Sequence, residues 1–441
     1  MIELTGELGI DMNALKKMSP GRYIALGFAA VVLLGAMILY LPVSHKNGID
    51  VAFMDALFTS TSAVCVTGLT VVDTYDTYNV FGQTVIALLV QVGGLGVTSI
   101  GVAFMLLARR KVDYKDRVLV KETLNFDSMQ GIVRLLRSIL LMTFCFEIVG
   151  AILSFLVFSQ DYPFLRAVGI SIFHSIAAFN NAGFDNLGGF KNLLDYRDNI
   201  LLNLTTSGLI IFGGLGFVVI KEILHKRSFK KLSLHAKVVV VMTTGLIVSG
   251  TILLKLTQKL SWLGAFFFSA SAGTAGFSTY PVDRFTNASL FIIIILMYIG
   301  SSPGSTGGGI KTTTVFVLFK SAYAASVNKH CTAFKRKIPT EVQSKAFLLA
   351  FLSIALICVN TLLVSIIEPQ LTFMQALFEV VSAFGTVGLS IGITSELKPI
   401  SEFIIIITMY IGRVGPLTIA SLWSDKPKSS LSYSEEALTI G

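Results

Sequence analysis

One short pattern occurs four times in the chain and constrains its fold more than any other feature. Each copy begins at a phenylalanine, continues through small and apolar residues, and ends at a glycine ten positions later. The copies span residues 58–68, 173–183, 266–276 and 378–388, and each lies between two long apolar segments. A repeat of this kind predicts four copies of one structural unit, in which a short loop segment joins two helices.

The four copies are predicted to be short re-entrant helices that each end in an extended turn at the glycine. Irregular backbone at membrane depth is tolerated only where it is buried in protein or lines a water-filled cavity. Four such turns around one axis would present rings of carbonyl oxygens, which can replace the hydration shell of a cation. Glycine suits the turn because it has no Cβ to obstruct it. The alternative is that the glycines serve only close helix packing.

The composition places the chain in a membrane. Hydrophobic residues make up 53% of its 441 residues and charged residues only 14%, against about 25% charged residues in soluble domains. The four cysteines have no paired spacing, so the sequence predicts neither a disulfide framework nor a zinc site. The five histidines are scattered, and the sequence contains no recognisable catalytic constellation. A membrane-embedded enzyme is therefore not indicated.

Eight spanning helices are predicted, each close to the ~20 apolar residues that cross a bilayer. Their expected ranges are 22–41, 81–107, 135–158, 200–220, 238–256, 289–325 (interrupted), 346–367 and 402–423. The expected division of the chain is a leader (1–19), four pore repeats (20–110, 111–228, 229–330 and 331–423) and a tail (424–441). The predicted fold class is an all-α membrane protein with four tandem helix–pore loop–helix repeats around one pseudo-fourfold pore.

Basic residues predict the orientation of the chain. Segments 109–137, 221–237 and 320–345 hold eight, six and six Lys or Arg, and they alternate with the re-entrant side. The positive-inside rule makes their face, and with it both termini, cytoplasmic. These loops explain the net charge of +9 without a nucleic-acid partner; they suit anionic membrane lipid or an acidic cytosolic protein. Carboxylates such as Asp73 and Asp185 on the opposite face would raise the local cation concentration.

A glycine cluster lies in the second helix of each unit, beneath the re-entrant segment. The clusters at 92–96 and 212–216 are interpreted as close helix packing. The third cluster has five glycines and a proline within ten residues and cannot form a continuous helix. A phosphate-binding loop is not favoured there, because Ile310 separates Gly309 from Lys311. We predict a flexible plug, here called the glycine-rich loop, comprising Gly300, Ser301, Ser302, Pro303, Gly304, Ser305, Thr306, Gly307, Gly308, Gly309, Ile310 and Lys311.

Two charged residues lie within predicted spans. Arg413 is eleven residues into the last helix, at a depth similar to that of Gly300. A charge at membrane depth costs roughly 2.5–3.5 kcal/mol on insertion scales, so either a partner, a wet cavity or snorkelling to the interface is expected. We expect Arg413 to act with the glycine-rich loop, whose Lys311 either faces the pore or caps the plug. Glu147, in the third predicted span, has no partner that the sequence identifies.

Four helix–loop–helix units with glycine-ended loops, together with the strings TAGF and GGLG, resemble the Trk/Ktr/HKT superfamily of potassium transporters. The resemblance covers about residues 20–423 and, with eight rather than ten helices, is greatest to the membrane subunits of bacterial Ktr systems. It implies a selectivity filter made of four segments, here called the glycine segments. These are Cys65, Val66, Thr67 and Gly68; Asn180, Asn181, Ala182 and Gly183; Gly273, Thr274, Ala275 and Gly276; and Gly385, Thr386, Val387 and Gly388. Glycine at all four ends implies selectivity for potassium, and Gly273 stands where this superfamily often has arginine.

The resemblance implies a channel-like potassium uptake subunit in a bacterial plasma membrane, with the glycine-rich loop and Arg413 as its gate. It also implies a homodimer with one pore per protomer, and a cytosolic ring of RCK-type subunits that bind ATP or ADP. No cofactor is expected beyond the transported K⁺, with Na⁺ as a candidate activator. The alternative is an ion-coupled secondary transporter such as a Na⁺/K⁺ symporter, which would use broken helices and midplane charges. The scarcity of acidic residues in the spans counts against that alternative.

Overall fold

The computed structural model describes residues 20–97, 99–102, 118 and 131–421, and this part of the chain is almost entirely helical. The predicted leader and tail, most of the basic segment 109–137 and the end of the second predicted span lie outside the described residues. The prediction of a helical fold is confirmed.

The α-helices follow one another in a repeating order of long and short elements. They are α1 (Pro20–Tyr40), α2 (Phe53–Val64), α3 (Thr74–Thr77), α4 (Val80–Leu95), α5 (Ile132–Phe158), α6 (Phe164–Phe179), α7 (Ile200–Leu215), α8 (Phe217–Lys226), α9 (Leu234–Thr257), α10 (Trp262–Ser271), α11 (Asn287–Tyr298), α12 (Thr312–Ser326), α13 (Thr340–Ile367), α14 (Phe373–Gly385), α15 (Pro399–Val414) and α16 (Pro416–Ser421). An antiparallel hairpin of β1 (Thr332–Ala333) and β2 (Arg336–Lys337) joins α12 to α13.

Four long helices, α1, α5, α9 and α13, are the first helices of the four units. Among the described residues, these four are long and apolar enough to cross a membrane, and the bent pair α7 and α8 adds a fifth if it counts as one span. Each first helix is followed by a short helix, α2, α6, α10 or α14, which packs against it and leads into a glycine segment. The short helices begin four to nine residues before the phenylalanines at which the sequence pattern starts.

The second helices differ from the prediction because each is interrupted at or near its glycine cluster. α4, α7 and α15 each end one residue before a glycine, and the φ angles of Gly96, Gly216 and Gly415 are 87°, 88° and 98°. Side chains rarely tolerate such angles, so glycine permits the break. At Gly216 the chain turns by 99° into α8. The continuous helices predicted over 81–107, 200–220 and 402–423 are therefore wrong, and between α11 and α12 the break extends over residues 299–311.

Polar residues between the apolar runs determine where three of the second helices and one short helix begin. Asn79, Asn199 and Thr286 precede α4, α7 and α11, and each side chain accepts a hydrogen bond from the backbone N–H three residues later. Thr372 and Gln375 form a reciprocal capping box at the start of α14. Such caps satisfy backbone donors that a helix leaves unpaired at its first turn.

Glycines in the second helices let their backbones touch the ends of the short helices. A Cβ at each of three positions would lie 2.0 Å from a carbonyl oxygen: Gly93 against Val64, Gly213 against Phe179, and Gly412 against Phe384. Close packing is therefore the role of these glycines, as interpreted from the sequence for the first two clusters. The contacts place the second helices directly behind the glycine segments.

Substitution of Gly213 by alanine should destabilise the protein, because the added methyl group meets a carbonyl oxygen of the main chain, which cannot move aside. Overpacking of this kind typically costs about 1–3 kcal/mol. The matched control is Gly208→Ala in the same helix, where an added Cβ has no neighbour within 4 Å. The measurement is the thermal unfolding midpoint of detergent-purified protein, which should fall for Gly213→Ala and not for Gly208→Ala. Equal midpoints would contradict the packing described here.

Candidate functional site: a ring of main chain and the loop beneath it

The four glycine segments meet between the units and close a ring. Each terminal glycine stands against the carbonyl group that precedes the next terminal glycine. In order around the ring, an added Cβ would lie 2.3 Å from the Ala182 oxygen at Gly68, 2.7 Å from the Ala275 oxygen at Gly183, 2.3 Å from the Val387 oxygen at Gly276, and 2.1 Å from the Thr67 oxygen at Gly388. The ring is therefore formed by main chain against main chain, and only glycine fits at these four positions.

A left-handed residue turns the chain from the short helix into the glycine segment in three of the four units. Val66, Asn181 and Thr386 have φ angles of 59°, 60° and 49°. The N–H of the next residue donates to the carbonyl five residues back, at 2.8 or 2.9 Å. This is the Schellman arrangement, which satisfies a carbonyl at the helix end and stops the helix. The chain then continues in extended form to the glycine.

The third glycine segment begins differently. The Ala275 N–H donates to the Ser271 carbonyl, four residues back, at 2.8 Å, and no residue of this segment before Gly276 has a positive φ angle. Gly273 borders a small cavity of about 50 Å³, and a Cβ there would meet only the Ala270 carbonyl oxygen, at 3.3 Å. The position that often holds arginine in the superfamily that the sequence resembles thus has room beside it.

Hydroxyl and amide groups hold the segments from behind. The Ser62 hydroxyl accepts a hydrogen bond from the Gly68 N–H at 3.0 Å, and the equivalent serine and glycine of the fourth unit are 3.1 Å apart. The second and third segments are joined directly, since the Asn181 amide lies 2.6 Å from the Thr274 hydroxyl. With its oxygen accepting from that hydroxyl, the amide nitrogen donates to the Ile210 and Ala178 carbonyls.

A polar cavity of about 300 Å³ lies on the side of the ring to which the terminal glycines lead. All four terminal glycines line it, as do the side chains of Asp73 and Asp185, which the sequence placed on the outer face. Asp73 also accepts a hydrogen bond from the Phe190 N–H at 2.7 Å, so it orders the loop that follows the second segment. The oxygens that a cation could contact in this cavity are those of the carboxylates and of the main-chain carbonyls in front of the ring.

The glycine-rich loop covers the opposite side of the ring. The Gly308 N–H donates to the Thr386 hydroxyl at 3.0 Å, and a Cβ at Gly307 would lie 2.7 Å from the Thr274 hydroxyl. Glycines are needed at this contact because the loop backbone lies directly against the third and fourth segments. The loop thus stands between the ring and the inner side of the protein.

Main-chain bonds attach the same loop to α7 and α8. The Ser302 N–H donates to the Gly214 carbonyl at 3.0 Å, and the Phe217 N–H donates to the Gly304 carbonyl at 3.1 Å. The two ends of the loop are also paired, because Ile299 and Ile310 form a parallel bridge. Irregular backbone in this position is acceptable since protein surrounds it.

Two cationic side chains hold the loop from the inner side. The Arg413 guanidinium donates to the Thr306 carbonyl of the loop and to the Gly93 carbonyl at the end of α4. The Lys311 ammonium donates to the Gly307 carbonyl at 2.7 Å. Both side chains line an inner cavity of about 320 Å³. Arg413 therefore has partners rather than snorkelling, and Lys311 both caps the loop and faces the cavity.

Two buried carboxylates stand behind the ring, and the sequence reasoning identified only one of them. Glu147 accepts a hydrogen bond from the Asn180 side chain. Glu379, in α14, accepts hydrogen bonds from the hydroxyls of Ser390 and Thr394, which follow the fourth segment. Glu379 lies within the fourth copy of the repeat, so its charge in an apolar helix was the available signal. Neither carboxylate belongs to a cluster of three potential metal ligands within the described ranges.

A ring of main chain between helical units, with a cavity on each side, is the geometry expected of a protein that passes cations across a membrane. Residues 29–432 match the family model of TrkH, described as a cation transport protein. The chain therefore belongs to the TrkH family of cation transport proteins, which confirms the expectation of a transporter rather than an enzyme.

Curated relatives span the whole chain. It is 37% identical over 444 residues to the potassium/sodium uptake protein NtpJ of Enterococcus hirae, covering 97% of this chain and 98% of that protein. It is 34% identical over 443 residues to the Ktr system potassium uptake protein B of Bacillus subtilis, covering 96% of this chain and 97% of that protein. The fold is similar to the crystal structure of the potassium transporter TrkH from Vibrio parahaemolyticus, with a TM-score of 0.75 and 16% identity over 93% of this chain and 86% of that chain.

Substitution of Arg413 by alanine should loosen the glycine-rich loop, because it removes the bond from the guanidinium to the Thr306 carbonyl. We expect faster amide hydrogen exchange in residues 304–308, measured by mass spectrometry on the protein in detergent. Arg413→Lys, which keeps a cationic donor group but not the forked guanidinium, is the matched control and should show a smaller increase. Unchanged exchange in the alanine variant would mean that the clamp does not hold the loop.

Proposed function

We propose that this chain is the pore-forming membrane subunit of a potassium uptake system. Relatives that cover nearly its whole length are named as potassium or potassium/sodium uptake proteins. The observation that carries the proposal is the ring of four glycine segments. Rings of carbonyl oxygens replace the hydration shell of K⁺ in selective channels, and here each terminal glycine stands within van der Waals contact of the next segment.

The glycine segments serve as the selectivity filter in this proposal. Cations collect in the outer cavity, where Asp73 and Asp185 supply negative charge. They lose water to the carbonyl oxygens of the ring and pass towards the inner cavity, driven by the membrane potential. Eight spans, each unit contributing a first helix and a broken second helix, surround the pore. No covalent chemistry is required.

The glycine-rich loop is the gate in this proposal. It lies against Thr274 and Thr386 of the ring and is held by Arg413 and Lys311. A cation leaving the ring therefore meets two positive charges and a layer of main chain, so conduction requires the loop to move.

In this proposal a cytosolic partner controls the movement of the glycine-rich loop. Ktr system protein names among the relatives denote components of multi-subunit systems, and we propose a ring of RCK-type subunits that bind ATP or ADP. We further propose a homodimer with one pore per protomer, in a bacterial plasma membrane with both termini cytoplasmic. K⁺ is the transported ion, and Na⁺ is a candidate activator.

A Na⁺-coupled symporter is the second candidate, favoured by the name of the relative that takes up potassium and sodium. The two candidates differ in their flux. A pore gives currents in proteoliposomes that reverse at the K⁺ equilibrium potential, whereas a symporter moves K⁺ and Na⁺ in a fixed ratio.

Gly68→Ser tests the filter. The added Cβ lies 2.3 Å from the Ala182 oxygen, so the carbonyls must move apart and discriminate less between ions. We expect the K⁺/Na⁺ selectivity, measured as ⁸⁶Rb⁺ uptake competed by Na⁺ in proteoliposomes, to fall by about tenfold or more, equivalent to about 1.4 kcal/mol. Gly48→Ser, at another left-handed glycine with no atom within 4 Å of an added Cβ, is the control. Unaltered discrimination in Gly68→Ser would reject the filter assignment.

Shortening the glycine-rich loop tests the gate. Removal of residues 303–309 takes away the part of the loop whose Gly307 and Gly308 lie against the third and fourth segments. We expect several-fold faster ⁸⁶Rb⁺ uptake with unchanged K⁺/Na⁺ selectivity, because the ring itself is untouched. Pro303→Ala keeps the length of the loop and should leave uptake near the wild-type rate. A shortened protein that transports no faster would exclude the loop as the gate.

A further inference from the structure

The environment of Glu147 is unusual for a carboxylate in a membrane helix. Glu147 lies in the middle of α5 and is only 7% exposed. Its neighbours Phe144 and Ile148 face outward, whereas Glu147 shares the buried face with Gly150, which packs against the Ser175 hydroxyl of α6. In the described part of the chain no Lys or Arg forms a salt bridge with it, so its stabilisation depends on hydrogen bonds.

The bonds of Glu147 go to the second short helix and the second glycine segment. The Ser175 hydroxyl donates to the Glu147 main-chain carbonyl at 2.7 Å, which fixes α6 against α5. The Asn180 amide nitrogen lies 3.2 Å from a carboxylate oxygen of Glu147. Asn180 is the first residue of the second glycine segment, so the carboxylate contacts the segment itself.

Asn180 is held between two units. Its amide nitrogen also lies 2.9 Å from the Gln91 side-chain oxygen in α4 and 2.9 Å from the Ile176 carbonyl. An amide nitrogen carries two hydrogens, so the three acceptors define a narrow range of orientations. Gly94 of α4 makes room for the group, since a Cβ there would lie 2.0 Å from the Asn180 side-chain oxygen. The side chain is thus wedged behind the ring with little freedom.

The other three segments have no comparable anchor. Their first residues are Cys65, Gly273 and Gly385, none of which carries an amide or a charged group. Among the described first helices, α5 alone has a carboxylate in its middle turns. The turn that follows Asn180 places Ala182, whose carbonyl oxygen faces Gly68. The segment that presents this carbonyl is therefore the one whose first residue is bonded to a buried carboxylate.

We propose that Glu147 is a positioning residue for ion selectivity, acting through Asn180 on the Ala182 carbonyl. This inference rests on the proposed filter. The carboxylate does not touch the ion; it holds the start of the second segment, so that its carbonyl stays at the distance from the axis that suits K⁺. Without the carboxylate, the Asn180 amide keeps only the Gln91 and Ile176 acceptors, its orientation is less restricted, and this quarter of the ring can adapt to a smaller cation.

The test compares Glu147→Leu, Glu147→Gln and Asn180→Ala by ⁸⁶Rb⁺ uptake competed with Na⁺ in proteoliposomes. Leucine removes the acceptor and alanine removes the donor, so each should lower the K⁺/Na⁺ selectivity by about tenfold. Glutamine keeps a side-chain oxygen that can accept from Asn180, and its selectivity should stay within about twofold of wild type. Asn360→Ala is the matched control, because it removes a buried amide bonded at 2.7 Å to Thr408, away from the ring.

A double-variant cycle separates positioning from general damage. If Glu147 and Asn180 act through one bond, the variant with both Glu147→Leu and Asn180→Ala loses no more selectivity than the poorer single variant. Multiplied losses, unchanged selectivity in Glu147→Leu, or an equal loss in Asn360→Ala would each overturn the inference. Should Glu147→Leu yield no folded protein, Asn180→Ala and Glu147→Gln decide the question by the same readout.

This outcome is distinguishable from failure of the proposed function. If the wild-type protein does not discriminate K⁺ from Na⁺, or Gly68→Ser discriminates as well as wild type, the filter assignment fails. If both of those tests succeed and the Glu147 variants discriminate normally, only the role of Glu147 is rejected.

Discussion

The contact on which the structure depends is the approach of one main chain to another around the ring of glycine segments. Each of the four terminal glycines lies so close to the next segment that a methyl group would overlap a carbonyl oxygen. The approach requires short helices that end abruptly, second helices that pack without side chains in between, and a loop of glycines beneath. Glycines at all these positions therefore serve the same purpose, which is to let one main chain lie directly against another.

The ring is approximately fourfold in position but not in its bonding. Three units use a left-handed residue to leave the short helix, whereas the third does not. The second segment has an amide and carboxylate anchor, the fourth is followed by a loop bonded to Glu379, and the glycine-rich loop is hydrogen-bonded to Thr386 of the fourth segment. The four carbonyl groups of the ring are therefore held by different sets of hydrogen bonds.

The sequence predicted the repeated elements well because spacing along the chain is a local property. The aromatic-to-glycine interval located all four segments that meet in the ring, and glycine with proline located the interruption between α11 and α12. The breaks at Gly96, Gly216 and Gly415 were not predicted, since the GGLG strings at 93–96 and 213–216 and the GRVG string at 412–415 also fit continuous, closely packed helices. Partners distant in sequence were not accessible either: Glu147 meets Asn180 through the packing of α6 against α5, and Arg413 meets Thr306 because the third and fourth units close on each other.

The right-angled turn after Gly216 has a mechanical consequence. α8 begins at Phe217, whose N–H is bonded to the Gly304 carbonyl, and Glu222 in its second turn accepts hydrogen bonds from Ser233, which lies just before α9. The helix therefore connects the glycine-rich loop to the segment that leads into α9. A tilt of α8 would either move Gly304 with it or break the hydrogen bond between the Phe217 N–H and the Gly304 carbonyl.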